Sequence, residues 1–286
     1  MDGFLLLYKE KNMSSFDVVK AVRRISGEKK VGHSGTLDPL ASGLMILAIG
    51  RATKLLEYLI GLNKGYEVLA KFGYKSDTYD AEGCVKEVDF KALLSEGDVL
   101  KAVSEKFLGE VFQVPPKYSA LKIDGRRACD IVREGGDVQM KKRKVNIEKF
   151  EIMDFDWPQV SFKVTCSKGT YIRSLIHDLG RELNCGAYVL ELKRTSIYTF
   201  PLNDAVKLNE LNNNFEQSLI SVSSFLSAFP LYKLSEQEYK TLKNGMYSHT
   251  VKADRSKPVF AFLKGEYKGT LVYNERKGFK LKKALN

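Results

Sequence analysis

This sequence lacks any apolar stretch long enough to cross a membrane as a helix, which needs about 18 apolar residues in succession. Its opening residues, MDGFLLLYKEK, contain only a short apolar segment and no small-residue cleavage site, so they do not resemble a signal peptide. These absences argue against an integral membrane protein and against a secreted one. We therefore expect a globular protein of the cytoplasm.

Cysteine and histidine are also scarce. The four cysteines, at positions 84, 129, 166 and 185, form no CxxC pair, which argues against a zinc site and against a disulfide framework. We expect them to be small core residues. Of the three histidines, His33 lies in a motif-like loop, whereas His177 and His249 have no ligand-like partners nearby in the sequence, so the pattern predicts no metal site.

Positive charge, in contrast, is in excess. The chain carries 46 Lys and Arg against 35 Asp and Glu, a formal net charge of +11. Residues 117–149 hold ten basic and five acidic side chains, and residues 252–286 hold ten and three, whereas residues 76–111 are acidic. Such segregation is typical of a nucleic-acid-binding surface, although a basic composition also serves solubility alone.

Periodicity predicts a mixture of strands and helices. The first 27 residues predict a strand, a turn and a helix, with Ser14 and Asp17 at capping-box spacing. The run LMILAI predicts a buried strand, RATKLLEYLIG a short helix, and the alternation in GYEVLAKFGY a half-buried strand. A helix is expected to start near Asp98, and hairpins are expected at Glu82-Gly83 and Asp124-Gly125.

The second half of the chain continues this mixture. Alternation over residues 145–166 predicts two strands, and the segment after residue 169 predicts a helix with a buried apolar stripe. We therefore predict an α+β fold with a mixed, mostly antiparallel central sheet flanked by helices. The composition changes near residues 203–230, so we divide the chain into a domain of residues 1–230 and a small all-β unit of residues 231–286 docked on it.

The loop GHSGTLDPLASG, residues 32–43, is the first candidate for a site. Its glycines can bring the backbone close to a ligand, and Pro39 disfavours helical geometry at Asp38. An isolated Asp-Pro pair is more often a turn in which the carboxylate bonds neighbouring amides. A phosphate loop lacks its GxxxxGK[ST] motif here, and a triad of Ser34, His33 and Asp38 would crowd one loop.

Two other residues have a functional and a structural interpretation. Arg173, at the start of a predicted helix, is either a solvated terminal arginine or a fixed cation that grips a carboxylate or a phosphate. Tyr66, first on the alternating face of its strand, is either a core tyrosine or an aromatic that stacks on an extruded base. The residue pattern alone leaves these alternatives open.

Five segments, taken in order, resemble the TruB family of tRNA pseudouridine synthases. They are GHSGTLDPLASG at 32–43, GYEVLAKFGYKSDTYDAEG at 65–83, VPPKYSALKIDGRRACDIVREG at 114–135, GTYIRSLIHDLG at 169–180 and LKRTSI at 192–197. The resemblance extends from about residue 4 to residue 230. It implies the pseudouridine synthase fold, and the basic tail is similar to the small β-rich PUA-type RNA-binding domain that often follows.

The resemblance also implies a reaction and its residues. It implies that the uridine at position 55 of the tRNA T-loop is flipped out and isomerised to pseudouridine, with neither a metal nor an organic cofactor. Asp38, Tyr66 and Arg173 match the catalytic positions, and the substrate-binding positions are matched by His33, Leu192, Lys9 and Lys54. The expected partner is the T-arm stem-loop of tRNA, bound by a monomer that needs no membrane and no obligate protein partner.

One motif departs from the family pattern. Where the family usually has KPxGxSS, residues 9–15 are KEKNMSS, so the proline and the glycine are missing. Asn12 can adopt a positive φ at modest cost, and we therefore expect the turn to survive. Glu10 lacks the rigidity of proline and adds a negative charge.

Overall fold

The computed structural model describes residues 1–90 and 93–285, apart from the side chain of residue 213. Its strands are β1 Gly3–Lys9, β2 Val31–His33, β3 Ser42–Ile49, β4 Lys64–Phe72, β5 Tyr74–Ser76, β6 Val85–Glu87, β7 Gly109–Gln113, β8 Lys122–Ile123, β9 Arg126–Arg127, β10 Arg143–Asp156, β11 Gln159–Cys166, β12 Ala187–Ile197, β13 Phe200–Pro201, β14 Val206–Lys207, β15 Leu231–Lys233, β16 Val259–Leu263, β17 Glu266–Asn274 and β18 Gly278–Lys282.

The helices lie between these strands. They are α1 Ser15–Ser26, α2 Leu56–Ile60, α3 Glu96–Lys106, α4 Ala128–Arg133, α5 Ile172–Glu182, α6 Leu211–Ser218, α7 Val222–Leu226 and α8 Glu236–Lys243, with 3-10 helices at Gly50–Leu55 and Leu202–Asp204. None of the helices in the described ranges is long and apolar enough to span a membrane.

A ten-stranded sheet forms the centre of the molecule, in the order β14-β1-β3-β12-β4-β11-β10-β7, with β2 added on β3 and β13 on β12. The pairs β1–β14 and β3–β12 are parallel, and the other pairs of this sheet are antiparallel. Helices pack on it, and a separate four-stranded sheet, β15-β16-β17-β18, lies near the C-terminus. The predicted α+β class and mixed, mostly antiparallel sheet are therefore confirmed.

The two central strands β1 and β3 are buried on both faces. Leu5 and Met45 belong to the core under α1, α3 and α5, whereas Phe4 and Ile46 belong to the core under α2 and α7. Burial on both sides explains why these strands have continuous apolar sequences without alternation. On β4, in contrast, only the face that starts at Tyr66 is fully buried.

Local sequence signals were accurate at several elements. Ser14 and Asp17 form the predicted capping box of α1, and Gly27 ends that helix at φ 66°. The Asp124-Gly125 hairpin joins β8 to β9. The helix expected near Asp98 begins two residues earlier, because Ser95 caps it and Asp98 completes the box.

Other predictions were wrong in whole or in part. RATKLLEYLIG contains the predicted short helix, α2, but its first half is a 3-10 helix. The C-terminal unit is not all-β, because α8 follows β15; Ser235 and Glu238 form a capping box there that the sequence already contained. Cys84 is exposed and is not a core residue, whereas Cys166 and Cys185 are buried.

The C-terminal sheet is docked on the main body as expected. The ring of Phe260 on β16 lies 5.5 Å from that of Phe229 and 5.8 Å from that of Tyr58. Lys283, just after β18, forms a 3.1 Å ion pair with Glu57 of α2. Burial of these rings joins the two parts through a shared core, and the domain boundary between residues 230 and 231 stays a prediction.

Candidate active site

A cavity of about 620 Å³ opens where the loop between β2 and β3 meets β4, β12 and the start of α5. Of the residues predicted from the sequence, four line this cavity: Asp38, Tyr66, Arg173 and Leu192. They come from separate parts of the chain, so the fold brings together residues that sequence alone could only match one by one.

The backbone of the Asp38 loop is fixed from both sides. Arg194 donates to the carbonyl groups of Gly35 and Thr36 at 3.2 and 3.5 Å. The Ser15 hydroxyl accepts from the Leu37 amide at 2.8 Å and donates to its carbonyl at 2.9 Å. These bonds hold the loop that carries the carboxylate, and Ser15 links it to the first turn of α1.

The turn before α1 braces the same loop. Asn12 adopts φ 65°, as expected for a residue in place of glycine, and its amide donates to the Pro39 carbonyl at 2.8 Å. The Lys9 ammonium is fully buried and donates to the carbonyl groups of Glu10, Met13 and Pro39 at 3.0, 2.7 and 3.3 Å. The turn has therefore formed without the family's proline and glycine.

The Asp38 carbonyl accepts from the Ala41 amide at 3.1 Å in a turn, but the carboxylate of this residue is not used to bond neighbouring amides. In the part of the chain that the structure describes, no backbone amide donates to its carboxylate, and the side chain is 31% exposed. One of its oxygens lies 2.9 Å from Nε of Arg173. The loop therefore holds Asp38 through its main chain and leaves the carboxylate at the cavity.

Arg173 is buried, so the solvated-arginine interpretation is wrong. Its Nη1 lies 3.1 Å from the buried Asp80 carboxylate and donates to the Thr78 carbonyl at 2.9 Å. Its Nη2 donates to the Tyr118 carbonyl at 2.9 Å. The buried guanidinium is thus paired with two carboxylates, so its positive charge is compensated inside the protein.

Sequence reasoning missed three residues of the site: Asp80, Lys64 and Arg194. Lys64 and Tyr66 are two residues apart on β4, and Leu192 and Arg194 are two residues apart on β12, so each pair shares a face of the sheet. Arg194 lies directly opposite Tyr66 in the β4–β12 pairing. The alternation rule, applied to Tyr66 and Leu192, would have found Lys64 and Arg194.

Asp80 lay inside a matched segment, GYEVLAKFGYKSDTYDAEG, but nothing in its local sequence indicates an arginine partner. The loop glycines also have another use than expected. Gly43, at φ 114°, has no room for a Cβ because the backbone of Arg194 lies against it. Its small size therefore serves the contact between β3 and β12, whereas Gly35 lines the cavity.

The cavity is strongly basic. Among the described residues that line it, Asp38 is the single acid, and the six basic residues are Lys64, Arg143, Lys144, Lys168, Arg173 and Arg194. Burial, with the nearby Arg194 charge, lowers the pKa of Lys64 to about 8. Burial also raises the pKa of the Tyr66 phenol, which keeps it protonated at neutral pH. Such a surface suits a polyanionic ligand.

The other predicted binding residues lie outside the cavity lining. His33 is half-buried on β2, and its Nδ1 accepts from the Gly35 amide at 3.3 Å; burial lowers its pKa. Lys9 lies beneath the loop, and burial lowers its pKa to about 8. Lys54 is exposed on the first 3-10 helix. Their contacts with RNA stay predictions.

Comparison with known proteins identifies the scaffold. Residues 23–172 match the model of the TruB family pseudouridylate synthase N-terminal domain, and residues 173–226 match the tRNA pseudouridylate synthase B C-terminal domain. The tRNA pseudouridine synthase B of Clostridium acetobutylicum is 42% identical over 86% of this chain and 85% of its own length. That of Clostridium perfringens is 38% identical over 100% of this chain and 99% of its own.

Solved structures share the fold. A Cbf5-Nop10-Gar1 complex contains a chain that is 21% identical, with a TM-score of 0.77 over 99% of this chain and 84% of that one. An H/ACA RNP bound to a substrate RNA gives 19% identity and a TM-score of 0.76 over 99% and 85%. The family-model matches and the identity to full-length relatives show that this chain belongs to the TruB family of pseudouridine synthases, which are RNA isomerases.

Proposed function

We propose that this enzyme isomerises the uridine at position 55 of the tRNA T-loop to pseudouridine, with Asp38 as the catalytic carboxylate. One observation carries the proposal. Asp38 is the single acid among the described residues of a basic cavity, its main chain is fixed, and its carboxylate is partly exposed beside Arg173. In that arrangement the basic residues can bind an anionic RNA backbone, while the one carboxylate is held in a fixed orientation toward the bound nucleotide.

The reaction needs a carboxylate of this kind. The C1′–N1 bond of the uridine breaks, the uracil turns, and a C1′–C5 bond forms, while C5 loses its hydrogen to water and N1 gains one. A carboxylate beside the sugar can attack the substrate or stabilise positive charge at C1′, as the second carboxylate of a retaining glycosidase does. No further acid is needed to release a leaving group, because the base stays in the cavity.

Tyr66 and Leu192 form the apolar part of the proposed base pocket. Both are buried and lie on neighbouring strands, with Leu192 paired to Val68 next to the Tyr66 position. An uracil turned out of the T-loop loses stacking worth a few kcal/mol, which an aromatic ring can replace. Because the Tyr66 ring lines the cavity beside Leu192, we assign it the stacking role.

The remaining basic groups are proposed to bind RNA phosphates. Lys144 and Lys168 line the cavity, and Lys54 is exposed on the 3-10 helix Gly50–Leu55. His33, whose pKa is lowered by burial, is instead proposed to hold the opened T-loop. Phosphate contacts position an RNA without reading its sequence. We further propose a cytoplasmic monomer that recognises the T-arm by shape, without a cofactor and without an obligate protein partner.

Tritium release tests the proposal. One T-arm stem-loop carries tritium at C5 of uridine 55 only, and a second carries it at the other uridines of the loop. We expect EDTA-resistant release from the first RNA and none from the second. RNA binding without release would indicate a non-catalytic RNA-binding protein, and release from the second RNA would contradict the assigned position. Dependence on a metal would favour a phosphate-handling enzyme instead.

A further inference from the structure

We infer that Tyr79 and His177 form a stacked pair that positions the Asp80 loop on Arg173, and through it the catalytic carboxylate. The inference rests on the proposed role of Asp38. The two rings have centroids 3.8 Å apart and planes inclined by 12°. Neither residue lines the cavity, so we assign them a positioning role and not a catalytic one.

Three consecutive residues of the β5–β6 loop, Thr78, Tyr79 and Asp80, contact side chains on one face of α5. Thr78 accepts from Arg173 through its carbonyl at 2.9 Å, and the Asp80 carboxylate lies 3.1 Å from the same nitrogen. Tyr79, between them, stacks on His177. Residues Arg173 and His177 are four apart in the helix, so they lie one above the other on the same face.

Tyr79 has an unfavourable backbone conformation where it makes this contact. Its φ is 65°, in the left-handed region that residues with a Cβ rarely adopt. Such a conformation persists only where surrounding contacts over-determine it, and these often lie next to functional sites. The Tyr79 carbonyl accepts from the Val189 amide at 3.1 Å, so β12 fixes the main chain while His177 fixes the ring.

The loop is also tied internally. The Thr78 hydroxyl donates to one Asp80 oxygen at 2.5 Å, and the Glu82 amide donates to the same oxygen at 3.0 Å. These bonds leave the second oxygen of Asp80 for Arg173. A loop that is held at Tyr79 therefore presents a carbonyl and a carboxylate together, at the distances that Arg173 needs.

The imidazole is suited to stacking because it is neutral. Burial and the nearby Arg181 lower the pKa of His177 to about 4. The charged groups near the stacked pair are Arg181, Asp178 and Lys117. The Tyr79 hydroxyl forms no hydrogen bond with a described residue, so the ring face makes the contact and we expect the hydroxyl to be dispensable.

The chain offers a matched control. Tyr198, in the turn after β12, also has a positive φ, 55°, and also stacks, with its ring 5.0 Å from that of Phe229. Phe229 belongs to the core under α2 and α7, whereas Arg173 lies at the start of α5. Tyr198→Ala therefore removes the same kind of side chain as Tyr79→Ala, from a residue that also has a positive φ and a stacked ring. It differs in that Tyr198 stacks on Phe229 and not on a residue of the helix that carries Arg173.

The experiment compares single-turnover rates and RNA affinities of the full-length variants Tyr79→Ala, His177→Ala, the double variant and Tyr198→Ala. We expect the two single variants to lose about tenfold or more in rate at unchanged RNA Kd, and the double variant to lose no more than either. Tyr79→Phe and His177→Phe, which keep an aromatic ring at each position, should have the wild-type rate. Tyr198→Ala should keep it despite a lower melting temperature.

A second readout works without activity. In a protein labelled with ¹⁵N-arginine, the Arg173 Nη1–H, which the Thr78 carbonyl and the Asp80 carboxylate hold, should exchange with water at least about tenfold faster in Tyr79→Ala and His177→Ala, but not in Tyr198→Ala. Wild-type rates and exchange in Tyr79→Ala would overturn the inference, and so would equal effects of Tyr79→Ala and Tyr198→Ala. A wild type that releases no tritium would contradict the proposed function, while the exchange rates would still decide the inference.

Discussion

The Arg173 guanidinium lies 2.9 Å from the Asp38 carboxylate. The two groups form an ion pair without a well-aligned hydrogen bond. No acceptor among the described residues lies in line with the N–H of the Arg173 Nε. The directed bonds of Arg173 go to the carbonyl groups of Thr78 and Tyr118. The protein therefore fixes the cation, and the carboxylate keeps its lone pairs free for a substrate.

Arg173→Lys tests this arrangement. Lysine keeps the charge but has no planar fork to bind two carbonyl groups and two carboxylates at once. We expect a fall of about 100-fold in single-turnover rate, or about 2.7 kcal/mol in activation free energy. RNA Kd should change little, by about threefold at most. Arg181→Lys, at an exposed position of the same helix, is the control and should have the wild-type rate.

Arg194→Lys tests the support of the Asp38 loop. Arg194 is fully buried and donates to the carbonyl groups of Leu44, Gly35 and Thr36. Because lysine cannot bond all three, the free energy of unfolding should fall by about 2 kcal/mol in urea titrations. Lys193→Arg, at the neighbouring exposed position, should be neutral. Equal stability of the two variants would show that the Arg194 bonds do not hold the loop.

Lys9 predicts a pH dependence of stability. Burial lowers its pKa from 10.5 to about 8 in the folded protein. Between these values the unfolded chain binds the proton and the folded chain does not, so stability from this group rises with pH. The free energy of unfolding of the wild type, minus that of Lys9→Met, should increase from pH 8 to 10, at up to about 1.4 kcal/mol per pH unit. A constant difference from pH 7 to 10 would contradict the burial of a charge.

The tail lysines divide into two roles. Lys280 and Lys282 make no ion pair with a described residue, whereas Lys283 pairs with Glu57. Replacing Lys280 and Lys282 by alanine should weaken RNA binding and lower its salt slope by about two. Lys283→Ala should instead lower the melting temperature, with a smaller change in the salt slope. The measurement is RNA Kd at several salt concentrations, and identical slopes for all variants would exclude phosphate contacts by the tail.

Much of the fold could be predicted because its signals are local. The spacing of Ser14 and Asp17 predicts the capping box of α1, and an unbroken apolar run predicts that β3 is buried on both faces. The helix α8 carries the same kind of signal in Ser235 and Glu238, but it is short and lies among strand-like segments that predict an all-β unit.

The site was less predictable, because its contacts join distant segments. Asp38, Tyr66, Arg173 and Leu192 could be matched by resemblance, but their burial and distances could not. Asp80 and Arg194 gain their roles only when the β5–β6 loop reaches α5 and β12 pairs with β3 and β4. Since such contacts depend on tertiary packing, no local pattern could reveal that Arg173 has two carboxylate partners.

The most direct test of the account is the single-turnover rate of Asp38→Asn on a T-arm labelled with tritium at C5 of uridine 55. Asparagine keeps the shape of the side chain and removes its charge, so folding and RNA Kd should be preserved. We predict a rate lower by about 10³-fold or more, at least about 4 kcal/mol in activation free energy. Asp204→Asn, at an exposed position, is the control. A rate for Asp38→Asn within about tenfold of wild type would contradict the assignment of Asp38 as the catalytic carboxylate.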